Sequence, residues 1–348
     1  MLAAPRTDTP LTETALLRLL LGDPRLDPDD LDWSLVLPIA ERHGVLLRLS
    51  AWFGQRGEVI PQRIGAAMDA AEQRLEAMLG QIQRIEERCA RNGVAHVFLK
   101  IAQQYPDVGR DLDVLVAGRA ADVDDMLLDG PGPRRAAPDF RSRLAATTSY
   151  PLPGCDASLV VHHGRLGRLG EHGRLASQLL RRKRRVRLAE VTWSAPSPED
   201  ALLIQALHRL YGRPVLKLRD AHWTLSTLRR QDLDWRYLVD AARRAGMLSG
   251  LSCFLDYAEQ IHRQVLGSPL VPAEQRARLA LGTWGRVEFR GGAYRFPAAS
   301  VTSRLYFREF CSDVTTGNWG AAGRLCLLPV LAATAGYQRL AQPTDGGR

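Results

Sequence analysis

The apolar residues of this chain change their spacing sharply near residue 92, and this change constrains the fold more than any other feature. From a start near Pro61, apolar residues recur at steps of three or four, which places them on one face of a long helix ending at Asn92-Gly93. They are Ile64, Met68, Ala71, Leu75, Met78, Ile82, Ile85 and Cys89. Short continuous apolar runs typical of strands follow at residues 94–99, 111–116, 157–161 and 186–193. With helical residues 120–128 among them, these runs predict a small mixed β-sheet between helical segments, which is the α+β fold class.

Helices are also predicted on both sides of this sheet. Residues 27–30 (Asp-Pro-Asp-Asp) have the form of a helix N-cap with a first-turn proline, and residues 197–200 (Ser-Pro-Glu-Asp) have the form of a capping box. Pro38 lies inside the first helical pattern and predicts a kink or a split there. We therefore expect an N-terminal helical segment at residues 1–60, a sheet-bearing core at residues 61–195 and a C-terminal helical domain at residues 196–348.

The composition of the 348 residues, 45% of them apolar and 24% charged, is that of a globular protein and excludes collagen-like, mucin-like and wholly disordered chains. The first residues carry no apolar signal-peptide core. The apolar stretch at residues 325–335 is shorter than the roughly 20 residues that a membrane span needs. The five cysteines are scattered, which argues against a disulfide framework. We expect a soluble protein of the reducing cytoplasm with no membrane partner.

Arginine dominates the charge of the chain. Lys and Arg total 47, only three of them lysines, against 38 Asp and Glu, and the formal net charge is +9. A positive protein suits a polyanionic partner or a nucleoside triphosphate. The densest basic run, at residues 181–187, is interpreted either as a solvated edge beside a strand or as a nucleic-acid patch. The lack of interleaved aromatic residues favours the solvated edge.

Two acidic residues in the second apolar run carry the main functional signal. Side chains alternate along a strand, so Asp111 and Asp113 project from the same face. Two neighbouring carboxylates repel each other, and a divalent cation relieves that repulsion; Mg²⁺ takes carboxylates together with substrate phosphates. Lys100 ends the preceding run, and Arg110 adjoins the acids. The pattern therefore indicates metal-assisted nucleotidyl transfer, and the alternative is a pair of strand-end acids that face solvent.

The same residues resemble a known family. Its pattern is a strand ending in Leu-Lys-Gly, a Tyr-Pro-like helix end, an arginine and then Asp-Ile-Asp-Leu-Leu-Val. The chain has Leu99-Lys100-Ile101, Tyr105-Pro106, Arg110 and, at residues 111–116, Asp-Leu-Asp-Val-Leu-Val. It thus resembles the bacterial family of uncharacterised nucleotidyltransferases, within the DNA polymerase β-type superfamily. The resemblance covers most of residues 27–265 and extends into the flanking helices, at Asp32-Trp33, His208, Leu218-Arg219-Asp220 and Asp234-Trp235.

The resemblance implies a nucleotidyltransferase core and a mechanism. Asp111 and Asp113 would hold one or two Mg²⁺ ions on the triphosphate of a nucleoside triphosphate, while Lys100 and Arg110 would neutralise phosphate charge. An acceptor hydroxyl would attack the α-phosphate in line and release pyrophosphate. The acceptor would be a small molecule, an RNA or a protein.

Two departures from the family's pattern bear on activity. Ile101 stands where the family has a small residue, often glycine, and its β-branch narrows the approach of phosphate to the backbone. A third carboxylate is expected on a later strand, but the matching position is valine whichever of His162 and His163 is the counterpart. Asp156, expected on the same strand face one or two pleats earlier, could substitute, and so could His162 acting as a base.

These departures leave a second interpretation of the whole chain. In this second interpretation the chain is a catalytically degraded member of the family that binds a nucleotide, a nucleic acid or a partner protein. His208 likewise has two interpretations: a core histidine on an apolar helix, or a functional residue.

Overall fold

A four-stranded mixed sheet forms the centre of the protein, whose computed structural model describes residues 9–327 except 58–64, 129–139, 153, 155, 189, 213–214 and 291–292. The strands follow the order β1-β2-β4-β3. β2 and β4 run parallel, and the two outer pairs are antiparallel. The strands are β1 His96–Phe98, β2 Asp111–Val116, β3 Thr147–Pro151 and β4 Ser158–His163. With helices on both sides of this sheet, the predicted α+β class is confirmed.

Two smaller sheets accompany the central one. β5 (Arg184–Leu188) and β6 (Val191–Ala195) form an antiparallel hairpin, so the single strand expected at residues 186–193 is wrong. Leu188 pairs with Val191, which shows that the chain reverses within that apolar run. The other sheet has the order β7-β9-β8 and consists of β7 Val215–Leu216, β8 Glu288–Arg290 and β9 Ala293–Arg295.

Helices surround these sheets. Before β1 they are α1 Thr9–Leu20, a 3₁₀ turn at Pro28–Asp30, α2 Trp33–His43, α3 Leu46–Arg56 and α4 Gly65–Arg91. Between β1 and β5 they are α5 Ile101–Gln104, α6 Ala120–Leu128, α7 Phe140–Ala145 and α8 Gly173–Arg182. After β6 they are α9 Pro198–Ala206, a π-helical turn at Leu207–Gly212, α10 Leu218–Leu228, α11 Trp235–Arg244, α12 Leu248–Leu266, α13 Ala273–Arg278, α14 Ala298–Thr315 and α15 Trp319–Leu325. None of the helices in the described ranges combines the length and the apolar composition that crossing a lipid bilayer requires.

Both faces of the central sheet are buried, each in its own apolar cluster. Leu112, Val114 and Val116 face a cluster to which α4 and α6 contribute, and the part of the predicted α4 stripe from Met78 to Cys89 packs in it. Leu115 faces a larger cluster that also contains Leu49 of α3 and Leu255 of α12. This larger cluster therefore includes residues from all three predicted segments, and the division into three parts stays a prediction. The predicted helix start near Pro61 and most of the apolar stretch at residues 325–335 lie outside the described residues.

A buried acid on the apolar stripe of α4 joins that helix to the sheets. Glu86 accepts hydrogen bonds from the backbone N–H of Ser194 on β6, at 3.1 Å, and from Arg185 on β5. His96 Nε2 on β1 lies 2.8 Å from Glu86 Oε2. Because a buried carboxylate is tolerated only when its oxygens are paired, these contacts explain why an acid stands among Ile82, Ile85 and Cys89.

The turn between α2 and α3 sets the direction of a helix that reaches the site described below. α2 runs without a break through Pro38, so of the two expected alternatives, a kink or a split, the split is wrong. Its N-cap is Asp32, whose side chain accepts from Ser34 N–H, and it ends at Gly44, which has a left-handed φ of 62°. A Cβ at this glycine would lie 3.4 Å from an Arg219 guanidinium nitrogen. Glycine adopts this conformation without the steric penalty that other residues meet.

We expect two glycine-to-alanine substitutions in this region to have opposite effects on stability. Gly44→Ala should lower the free energy of unfolding by about 1–2 kcal/mol, because it forces an L side chain into the left-handed region. Gly54→Ala lies inside α3, where a Cβ has nothing within 4 Å, and should raise it by about 0.5–1 kcal/mol. Urea unfolding of both variants checks this, and a Gly44→Ala protein as stable as the parent would contradict the assigned turn.

Candidate active site

The two predicted acids lie on the strand at the centre of the sheet. Asp111 is the first residue of β2 and is exposed, whereas Asp113 is 5% exposed. In the parallel register with β4, Asp111 pairs with Ser158, and Asp113 pairs with Val160. Since side chains alternate along a strand, both acids belong to the face that also bears Leu115.

Asp113 is held by two side chains that come from the neighbouring segments. Lys100, which follows β1, places its Nζ 2.7 Å from Asp113 Oδ2, and His162 of β4 places Nε2 3.1 Å from Oδ1. The backbone fixes the approach, because Leu99 N–H donates to the Asp113 carbonyl at 2.9 Å. Burial alone would raise the pKa of Asp113, but the charge of Lys100 and the hydrogen bond from His162 outweigh it and hold that pKa far below its usual value.

The contact with Asp113 also fixes the proton on His162 when that ring is neutral. An ionised carboxylate only accepts hydrogen bonds, so Nε2 must carry the hydrogen that it donates. The other nitrogen, Nδ1, then has a free lone pair, and it is buried without a hydrogen-bond partner among the described residues. His162 is therefore oriented by Asp113 and has one open acceptor.

Asp156 lies apart from this arrangement. It precedes β4, so the expectation that it lies on that strand with His162 is wrong. Its side chain is exposed and lies 3.3 Å from Nε of the equally exposed Arg110. An ion pair so open to water adds little stability, and each partner can exchange the other for a different ion. The structure thus places Asp156 at the surface together with Arg110, the residue that precedes Asp111 in the chain.

The two departures from the resembled pattern have definite places. Val160 is the register partner of Asp113, so a valine stands beside the buried acid on β4. Ile101 is buried with Phe98 and Leu112 in the cluster on the opposite sheet face. Its branched side chain is thus packed into the core on the far side of the sheet from Asp113.

The segment that joins Lys100 to Asp111 is held by two half-buried arginines. Arg48 of α3 pairs with Asp107 at 2.7 Å, and its Nη2 donates to the carbonyls of Gln103, Gln104 and Tyr105 at 3.2, 3.0 and 2.6 Å. Arg219 of α10 donates to the Asp107 carbonyl at 2.7 Å. Burial lowers the pKa of Arg48 and raises the pKa of Asp107, which shows how far both groups are removed from water. Helices from both flanks therefore fix the segment that carries Lys100.

His208 approaches the same acid from the π-helical turn. Lys100, Asp113 and His162 are close enough for their charges to act on it, and burial, followed by the charge of Lys100, holds the pKa of His208 well below its usual value. Its Nε2 is buried and has no hydrogen-bond partner among the described residues. The neighbouring Arg209 is fixed by an ion pair with Asp220, at 2.7 Å.

The site offers two carboxylates to a metal ion. Asp111 and Asp113 offer hard carboxylate oxygens on one face, and magnesium is commonly held by one or two carboxylates with phosphates and water completing its shell. Among the described residues, no group of three or more His, Cys, Asp or Glu side chains is placed to hold a metal. The two carboxylates therefore fit one cation whose remaining ligands are phosphate oxygens and water.

A family model identifies the chain. The model described as uncharacterised nucleotidyltransferase matches residues 29–263, more than half of the protein. The chain belongs to this family. Comparison with curated proteins found no match.

The match includes every residue described around Asp113 and extends far beyond the sheet. Arg48 of the N-terminal flank and Arg219 of the C-terminal flank both lie within it, as do Lys100, His162 and His208. α1 and the chain from α13 onward lie outside it. The region that matches the family model therefore includes the central sheet together with helices on both of its sides.

The basic run at residues 181–187 lies at the end of α8 and on β5. Arg185 pairs with Glu86, and Arg182 lies 3.5 Å above the ring of Tyr237. An aromatic residue thus accompanies the run, although it comes from α11 and not from the run itself. The engagement of these two arginines within the protein suits the interpretation as a solvated edge.

We expect the buried pair between Arg48 and Asp107 to be sensitive to the loss of one partner. Arg48→Met should lower the free energy of unfolding by roughly 3–5 kcal/mol, because it leaves the buried Asp107 carboxylate without its ion-pair partner. Arg48→Met combined with Asp107→Asn should lose less than the sum of the two single losses. Arg42→Met, on an exposed arginine of α2, is the control and should change stability by less than about 0.5 kcal/mol. Additive losses in urea unfolding would contradict this assignment.

Proposed function

We propose that the protein transfers a nucleoside monophosphate from a nucleoside triphosphate to a hydroxyl acceptor at the Asp111–Asp113 face of β2. The observation that carries the proposal is the meeting of Lys100 and His162 on the buried Asp113, beside the exposed Asp111. This places acids, a cation and a potential base together in a chain of the nucleotidyltransferase family. The acceptor is a small molecule, an RNA or a protein.

The reaction forms one bond at the α-phosphorus and breaks another. The acceptor oxygen attacks that phosphorus, the bond from it to the bridging oxygen of the β-phosphate breaks, and pyrophosphate leaves. The hydroxyl proton passes to His162 Nδ1, which is the open nitrogen of a ring that Asp113 orients. As the imidazole becomes positive, the carboxylate of Asp113 stabilises it. Asp156 is the weaker candidate for this role because it is exposed and paired with Arg110.

The cations at the site bind the triphosphate. Lys100 reaches Asp113 through a flexible side chain, so its ammonium can turn from the carboxylate to a phosphate oxygen. Arg110 is paired only at the surface and can exchange Asp156 for phosphate. Asp111 and Asp113 are the residues that would hold Mg²⁺, which when bound neutralises phosphate charge and polarises the α-phosphate.

A binding role without catalysis is the second candidate. The position expected for a third acid on β4 holds a valine, Val160 or Val161, and both oxygens of Asp113 are engaged by Lys100 and His162. These observations favour a degraded member of the family that retains a nucleotide, nucleic-acid or partner site. Such a protein would bind nucleoside triphosphates without releasing pyrophosphate.

We expect the purified protein to release pyrophosphate from at least one of the four common nucleoside triphosphates when Mg²⁺ and a cell extract as acceptor source are present. Asp111→Asn and Asp113→Asn should each lower this rate by about 10²–10³-fold, because each removes a carboxylate from the reacting face. The matched control is Asp125→Asn, an exposed acid on α6, which should leave the rate unchanged. Chelation of the metal should abolish the release.

Two results would count against this function. Equal rates for Asp111→Asn, Asp113→Asn and Asp125→Asn would place the chemistry elsewhere or in a contaminant. Nucleotide binding by the parent protein without pyrophosphate release, whatever the nucleotide, would favour the binding role.

A further inference from the structure

The helix that approaches Asp113 ends in an unusual turn. α9 continues into the π-helical residues Leu207–Gly212, a geometry that is rare in proteins and is frequent at functional sites. The turn is anchored through its own carbonyls: Thr302 Oγ1 donates to Leu210 at 3.3 Å, and Tyr306 Oη donates to Tyr211 at 3.2 Å. Both donors belong to α14, so a helix outside the family match holds the turn in place.

This turn leaves one polar atom of His208 without a partner. Nε2 is buried and makes no hydrogen bond to any described residue, although the ring is close enough for the charges of Lys100 and Asp113 to act on it. Most buried polar side-chain atoms in proteins are hydrogen-bonded, and an exception at a polar cluster indicates a missing ligand or water. His162 Nδ1, in the same cluster, is a second buried nitrogen without a partner.

The chemistry of the cluster selects the missing partner. The positive charge of Lys100 acts on the ring of His208, and the ammonium is paired with Asp113 at 2.7 Å. An anionic oxygen that entered here would be attracted by Lys100 and would accept a hydrogen bond from a neutral imidazole N–H. Phosphate oxygens are such acceptors.

We infer that His208 is a phosphate-binding residue, which donates from Nε2 to an oxygen of the triphosphate and which α14 positions through the π-helical turn. The inference rests on the proposed function, since it assigns a ligand group to the same site. It adds a residue of the C-terminal flank to the binding machinery and gives α14 a part in positioning it.

Inorganic tripolyphosphate with Mg²⁺ tests the inference, because this probe carries the phosphates without base or sugar. His208→Leu should weaken its binding at least about tenfold in titration calorimetry, since a hydrogen bond to a charged group is lost. His208→Gln should stay within about threefold of the parent, because the glutamine amide can donate from a position near that of Nε2. Thermal unfolding should show both variants folded at the temperature of the titration.

A second histidine provides the matched control. His222 on α10 is also partly buried, but its Nε2 lies 3.2 Å from the Leu20 carbonyl. His222→Leu should bind tripolyphosphate as the parent does. Unchanged affinity in His208→Leu, or an equal loss in His222→Leu, would overturn the assignment of His208.

A separate measurement tests whether α14 positions His208. Tyr306→Phe removes the donor to the Tyr211 carbonyl and should weaken tripolyphosphate binding in the parent, by less than His208→Leu does. In the His208→Leu background the same substitution should have no further effect, because the group that it positions is gone. Additive effects of the two substitutions would overturn the role of α14.

This experiment separates the inference from the proposed function. A loss of tripolyphosphate affinity in His208→Leu supports the phosphate site even when the parent releases no pyrophosphate, in which case transfer alone fails. Pyrophosphate release by the parent together with unchanged tripolyphosphate affinity in His208→Leu removes His208 and leaves transfer standing. No binding of tripolyphosphate by the parent overturns the inference.

Discussion

The site depends on one physical constraint: a carboxylate buried at the centre of a sheet must be paired. Asp113 is nearly inaccessible, and an isolated charge there would be strongly disfavoured. Lys100 supplies the opposite charge and His162 a hydrogen bond, which together keep the carboxylate ionised. The same pairing brings a cation and an oriented imidazole to the strand that carries Asp111. The partners that the buried Asp113 requires are therefore the same groups that make the site reactive.

That arrangement is held from both helical flanks. The segment between Lys100 and Asp111 bends sharply, and its carbonyls and Asp107 are bound by Arg48 from α3 and Arg219 from α10. These arginines fix the backbone of this segment, since Arg48 alone donates to three successive carbonyls. The extent of the family match, residues 29–263, is consistent with this dependence of the sheet on helices from both sides.

Local sequence signals predicted the parts of the fold that depend on neighbouring residues. The bounds of β2 follow from its apolar run, the caps at Asp27, which begins a 3₁₀ turn, and at Ser197 follow from their side chains, and the stripe on α4 follows from its period. The shared face of Asp111 and Asp113 is a consequence of strand geometry alone. The resemblance to a family added the expected chemistry, and the family itself is confirmed.

What the sequence did not reveal depends on contacts between distant residues. β3 contains Thr147, Thr148 and Ser149, and only pairing with β4 makes it a strand. Arg48 and Asp107 are 59 residues apart in the sequence, and no periodic pattern predicts that they pair. The π-helical turn depends on hydrogen-bond donors from α14. One of them, Tyr306, is more than ninety residues from its acceptor Tyr211 in the sequence. The sequence pattern predicts Asp156 on β4, whereas the strand begins two residues later, at Ser158, where pairing with β2 and β3 starts.

The larger apolar cluster has a practical consequence for anyone who shortens this chain. Val301 and Leu305 of α14 belong to the same cluster as Leu255 and Tyr257 of α12, although α14 follows the end of the family match. A fragment trimmed to residues 29–263 would expose the buried side of α12 to water and would release the carbonyls that α14 binds. The boundaries of the family are therefore not the boundaries of a piece that can be expected to fold by itself.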